Sequence, residues 1–178
     1  MMGTTHVAFA VLCYYIIAYF AKLPFEAPMV LTLLIIGSLI PDIDHPRAFL
    51  NQQFYLFKRA SGSFGGLVTH RGIVHSFLAA VIATAVVGII AIFYQLEMLA
   101  VMCFFLGFVS HLVADTLNPA GIKWLQPFSK AKVKDGIRTG SAIEKIFLLV
   151  TIVAVVAIVY EVHSEWFNIF WEQGLLLV

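Results

Sequence analysis

Five of the six histidines fall in four short segments, three of them with a nearby aspartate or a second histidine, and every segment borders a long apolar run. The segments are Thr5-His6, Pro41-Asp42-Ile43-Asp44-His45, His70-Arg71-Gly72-Ile73-Val74-His75 and His111-Leu112-Val113-Ala114-Asp115. Imidazoles and carboxylates beside hydrocarbon are costly unless something compensates them. A metal ion compensates both. The first expectation is therefore a metal site at one face of a membrane protein.

Each cluster also has a plainer reading. His111 and Asp115 are four apart, so a helix puts them on one face within reach of one ion. Alone, such a pair is more often a hydrogen-bonded core pair. Asp42-Ile43-Asp44-His45 follows Pro41, which stops a helix. An extended Asp-x-Asp would carry both carboxylates on one side, although polar residues at a helix end commonly just reach water. His70 and His75 flank a glycine turn that also suits an interfacial loop, with Arg71 pairing to lipid phosphate. His6 follows Thr5, a helix-capping type, and is as readily a satisfied histidine near the membrane surface. Ser141-x-x-Glu144 is a capping box, which competes with Glu144 as a ligand. His163 stands apart among acidic neighbours.

Taken together the set is more specific than its parts. Histidine with carboxylate suits zinc, and also manganese or iron. The expected metal ligands are His6, Asp42, His45, His70, His75, His111, Asp115 and Glu144. Their number exceeds four, which allows one or two ions. A catalytic site keeps a coordination position open for water, whose pKa falls to about 7 on zinc. Asp44 is the expected general base. Arg71 is the residue expected to steady phosphoryl oxygens.

The elements that position these residues follow from hydropathy. The 178 residues are 61% hydrophobic and 12% charged, with a mean hydropathy of +0.95. A soluble domain carries roughly twice that charged fraction, so much of this surface faces lipid. A spanning helix needs about 20 apolar residues. Runs at about 5–21, 75–93, 98–117 and 142–160 meet or approach that length, and a fifth at about 27–40 is short. The expectation is an all-α, multi-pass transmembrane helix bundle of about five spans, forming a single membrane-embedded domain. The first run lacks a basic leader and a small-x-small cleavage site, so it is expected to be a retained helix. Cys13 and Cys103 fall inside apolar runs with no framework spacing, so no structural disulfide is expected.

The long connections 41–74 and 118–141 carry the basic residues: Arg47, Lys58, Arg59 and Arg71 in one, Lys123, Lys130, Lys132, Lys134 and Arg138 in the other. The positive-inside bias puts both in the cytoplasm, with the N-terminus inside. All the ligand candidates then fall at one membrane face, provided the short run crosses completely. The Ser61–Gly66 stretch reads as a flexible link without the ending of a phosphate loop. Segments 51–59 and 124–128 read as interfacial, and the tail 162–178, with Trp166, Phe167, Phe170 and Trp171, as lying on the outer surface.

With these motifs in hand, the chain resembles the YdjM-like, inner-membrane-bound, metal-dependent hydrolases of bacteria. The segments that carry the likeness are Thr5-His6-x-x-Phe9, Gly37-Ser38-Leu39-Ile40-Pro41-Asp42-Ile43-Asp44-His45-Pro46, His70-Arg71-Gly72-x-x-His75-Ser76 and Gly107-x-x-Ser110-His111-x-x-Ala114-Asp115-x-x-Asn118. The likeness runs through Gly121 and Pro127 and covers roughly residues 4–150. It implies residence in the bacterial inner membrane and metal-dependent hydrolysis. That family is in turn distantly similar to zinc-dependent phospholipases C and single-strand nucleases, all-helical enzymes that cleave phosphodiesters. His111-x-x-x-Asp115 looks like one of their helical ligand pairs. Their late His-x-x-x-Glu is broken here by Gly140 ahead of Glu144, so one or two ions are implied rather than three.

The function expected first is hydrolysis of a phosphoester, such as a phospholipid headgroup, at the cytoplasmic membrane face. Its partners would be the bilayer and that substrate, with no nucleic acid. A divalent-metal transporter or metal sensor is the alternative, but transport calls for ligands near mid-bilayer, and the mid-helix stretches 81–91 and 146–158 hold none. Bis-histidine haem ligation by His75 and His111 is a third reading that the aspartates suit poorly.

Overall fold

The computed structural model describes residues 1–44 and 73–175, with side chains described over 1–42 and 73–164. Among these the chain is all-α: α1 (Gly3–Ala21), α2 (Pro28–Leu39), α3 (Phe77–Tyr94), α4 (Met98–Thr116) and α5 (Ala142–Leu175), with 3-10 turns at Ile40–Asp44 and Ile73–His75. Four stretches are long and apolar enough to cross a membrane: Gly3–Ala21, Phe77–Tyr94, Met98–Thr116 and Ala142–Ser164. Extended pairing is limited, among the described residues, to one antiparallel bridge between Ile122 and Val133.

The helices alternate in direction. α1 ends at Lys22 and α3 at Gln95, both in the left-handed conformation, with φ of 55° and 53°. Each cap turns the chain back within a few residues, as the short connections predict. α2 spans only 12 residues, but the five-residue 3-10 turn extends it. At 1.5 and 2.0 Å per residue the pair covers about 28 Å, close to the ~30 Å hydrocarbon thickness. Pro41 is accommodated at the first turn of the 3-10 segment, where its missing N–H costs little. The backbone at Asp42–Asp44 is therefore helical rather than extended, and two residues apart on a threefold turn do not share a face. This corrects the expected Asp-x-Asp geometry.

α4 is the central helix. Of its spanning window 61% is buried inside the protein, against 11% for α3 and α5, whose remaining surface is apolar and faces lipid. On one side of α4, Ala100 and Cys103 pack with Ala10, Tyr14 and Ala18 of α1 and with Val30 and Leu34 of α2. On the other, Phe104, Phe108 and Leu112 pack with Ala80 of α3 and with Ile122. Glycines set the closest crossing. A Cβ on Gly37 would overlap the carbonyl oxygen of Phe104, and one on Gly107 would overlap that of Leu34. Only glycine lets the α2 and α4 backbones touch in this way.

α5 runs 34 residues, about 51 Å. It continues through the segment expected as a separate tail on the outer surface. Residues 161–173 contain neither proline nor glycine to stop it.

Candidate metal centre

Three chain segments deliver four side chains to one point. Asp42 comes from the 3-10 turn after α2, His75 from the turn before α3, and His111 and Asp115 from the last turns of α4. One ligand atom from each lies within 4.8 Å of the others. Their side chains are 0–1% exposed except that of Asp42, at 22%. The i,i+4 spacing of His111 and Asp115 puts both on the inward face of α4, as expected.

The distances suit a small cation. His75 Nε2 is 3.5 Å and His111 Nε2 3.7 Å from Asp42 Oδ1. Tetrahedral ligands at zinc bond lengths of 2.0–2.1 Å are about 3.4 Å apart. These separations are long for hydrogen bonds, and His111 Nε2 is fully buried without one among the described residues.

The other nitrogen of His111 is engaged. Nδ1 lies 2.8 Å from the backbone oxygen of Ser38. A carbonyl only accepts, so Nδ1 carries the proton and Nε2 presents its lone pair to the site. Ser38 arrives there through the Gly37–Gly107 crossing: a Cβ on Gly107 would also meet the Ser38 backbone nitrogen at 2.9 Å. Sequence reasoning assigned no role to Ser38, Gly37 or Gly107. For the two glycines the signal was the small residues Gly37 on α2 and Gly107, Ser110 and Ala114 on α4.

His6 adjoins the four. Its ring stacks on that of His111 with centroids 3.8 Å apart and planes 14° from parallel. Its Nε2 is 3.5 Å from Asp115 Oδ1, and neither ring nitrogen makes a hydrogen bond among the described residues. The amino group of Met1 also donates to Asp115 Oδ1, at 2.9 Å. His6 is thus brought to the same end of the bundle, touching the group from the side. Thr5 lies inside α1 rather than capping it; the N-cap is Met2, which has no side-chain cap of its own.

Glu144 supplies what that cap lacks. It is fully buried, and its Oε1 accepts the Met2 N–H at 2.6 Å while Oε2 accepts the Gly140 N–H at 2.5 Å. The Ser141 hydroxyl accepts the Glu144 N–H at 3.3 Å, one half of a capping box for α5, while the reciprocal bond from the carboxylate goes to Gly140 instead of Ser141. One carboxylate therefore caps two helices, with its charge at the positive ends of both. Glu144 is outside the four-residue group. His45, His70 and Arg71 lie outside the described residues, as does the side chain of Asp44.

The family model described as YdjM inner membrane protein matches residues 1–178. Two relatives named inner membrane protein YdjM, from Escherichia coli (strain K12) and Shigella flexneri, are each 33% identical over 143 residues. The match covers 71% of this chain and 66% of each relative, just under two thirds of the relatives' length. No solved structure gives a significant match.

Proposed function

The chain belongs to the YdjM inner membrane protein family, and on that footing we propose that it is a membrane-embedded, metal-dependent hydrolase of phosphoesters. The observation that carries this reading is the meeting of Asp42, His75, His111 and Asp115, from three segments, with ligand atoms within 4.8 Å. The donor set is two imidazoles and two carboxylates, which suits zinc first and manganese or iron next. One ion fits these four; His6, beside Asp115, would take part in a second. When bound, such a cation polarises a phosphoryl oxygen and lowers the pKa of a coordinated water.

The chain's own residues divide the remaining work. Ser38 holds the His111 ring in the tautomer that offers Nε2. His75, His111 and Asp115 are sealed from solvent, and Asp42 is the one member with an open edge. Water and substrate therefore approach along Asp42. Asp44, two residues on, is our general base, and Arg71, four residues before His75, our contact to phosphoryl oxygens. His45 and His70 belong to the same two segments and would complete the coordination or buttress it.

The ligands occupy the ends of α2 and α4 and the beginnings of α1 and α3, so they lie at headgroup depth. A phospholipid headgroup ester is the substrate best matched to that depth. By the basic connections, this is the cytoplasmic face. The transport reading has less support, because ligands gathered at one end of the bundle offer no path to the other face.

The test is turnover of phosphodiester and phospholipid substrates by the purified chain loaded with zinc, manganese or iron. Activity that depends on added metal and disappears in Asp42→Ala supports the reading. A sample that binds metal and turns over none of these substrates would rule out phosphoester hydrolysis.

A further inference from the structure

The connection between α4 and α5 contains five basic residues, Lys123, Lys130, Lys132, Lys134 and Arg138, and one acid, Asp135. Lys130, Lys132, Lys134 and Arg138 are exposed. None of the five has an ion-pair partner among the described residues. Between them stand apolar side chains that also point outward: Phe128 is 85% exposed and Leu125 60%.

This segment is held firmly against the end of the bundle. The Trp124 carbonyl accepts the N–H of Phe77, the first residue of α3, at 2.9 Å. Ile137 N–H donates to the carbonyl of Leu117, just past α4, at 2.8 Å. In between, Ile122 and Val133 exchange both backbone hydrogen bonds at 3.0 Å, and Ile122 is fully buried in the core. Gly121, with φ of +55°, has no room for a side chain beneath Val133. The basic and aromatic residues are therefore displayed by an ordered platform where two spans meet the membrane surface.

We propose that this platform is a docking surface for anionic phospholipid headgroups of the leaflet it faces. Exposed aromatic and aliphatic groups beside unpaired lysines are poorly matched to water alone and to hydrocarbon alone. The headgroup layer takes both, with apolar groups entering the acyl boundary and ammonium groups reaching phosphate. Each basic residue near an anionic bilayer surface changes binding roughly five-fold. The proposal does not depend on the metal centre or on hydrolysis.

The test uses the full chain in detergent micelles doped with equal amounts of phosphatidylglycerol and phosphatidylcholine, with retained lipids counted by native mass spectrometry. The wild-type chain should retain phosphatidylglycerol in preference to phosphatidylcholine, and raised salt should weaken that preference. The variant K130Q/K132Q/K134Q/R138Q should lose the preference by at least about ten-fold while keeping its helix content and its phosphatidylcholine. The charge-keeping variant K130R/K132R/K134R should retain it. Equal retention of the two lipids by the wild type would overturn the proposal, as would an unchanged preference in the neutralised variant. Binding of a single-stranded oligonucleotide through these lysines, with no lipid preference, would also overturn it.

Discussion

The Nδ1 atom of His111 lies 2.8 Å from the backbone oxygen of Ser38, so the orientation of a candidate metal ligand on α4 is set by the main chain of α2. That link depends on how closely the two helices approach, and the approach depends on Gly37 and Gly107. Gly107→Ala should push α2 away and release the His111 ring. Loss of an outer partner to a ligating histidine typically costs 10–100-fold in metal affinity. Zinc titration of the folded variant against a competing chelator should show a loss in that range. Unchanged affinity would mean that the crossing does not position His111.

Glu144 is expected to act on stability and not on metal content. Its carboxylate accepts the backbone N–H groups of Met2 and Gly140 while fully buried. Glu144→Ala removes the acceptor of two part-buried backbone hydrogen bonds, at roughly 0.5–1.5 kcal/mol for each bond lost. Thermal unfolding in detergent should show a markedly lower midpoint for the variant. The metal-to-protein ratio of its folded fraction should match the wild type; a loss of one equivalent would make Glu144 a ligand after all.

His6 and His111 make different predictions although their rings stack. His111 is one of the four mutually close candidate ligands, whereas among the described residues of that group His6 meets Asp115 and the face of the His111 ring. His111→Ala should abolish high-affinity binding of the first equivalent of metal. His6→Ala should leave that equivalent in place and weaken any second one. Isothermal titration with zinc separates the two outcomes, and equal loss of the first equivalent in both variants would contradict the assignment.

Several of these features were legible in the sequence for local reasons. The long apolar runs fixed four spans because helix length and membrane thickness are both set by simple geometry. The His111–Asp115 face followed from the helical repeat. The gathering of His6, Asp42, His75 and His111 at one end followed from alternating helix directions once the short second run was taken to cross. What stayed hidden depends on contacts between elements. Ser38 acts through its carbonyl, which every residue possesses, so no side-chain pattern marks it. Glu144 was read as a cap for its own helix, but its second role, at the start of α1, comes from a residue 142 positions away. The 3-10 turn at Asp42 ran against the expected extension because Pro41 falls at the one place in a helical turn that tolerates it.

The orientation of the bundle is open to direct measurement. The basic connections predict that the end of the bundle carrying Ser129 faces the cytoplasm. In intact cells, Ser129→Cys should resist a membrane-impermeant maleimide, and Glu26→Cys, at the opposite end, should react. Cys13 and Cys103 lie within spans and are half-buried and buried respectively, so they contribute little background. The reverse labelling pattern would place the candidate metal centre on the far side of the membrane.

The central claim is that Asp42, His75, His111 and Asp115 together grip a divalent cation. Elemental analysis of the purified chain tests it most directly, with Asp42→Ala and His111→Ala carried through the same preparation. At least one equivalent of zinc, manganese or iron in the wild type, lost from both variants while their helix content is retained, is the predicted result. A wild-type chain without bound metal even after incubation with these ions, or variants that hold as much as the wild type, would contradict it.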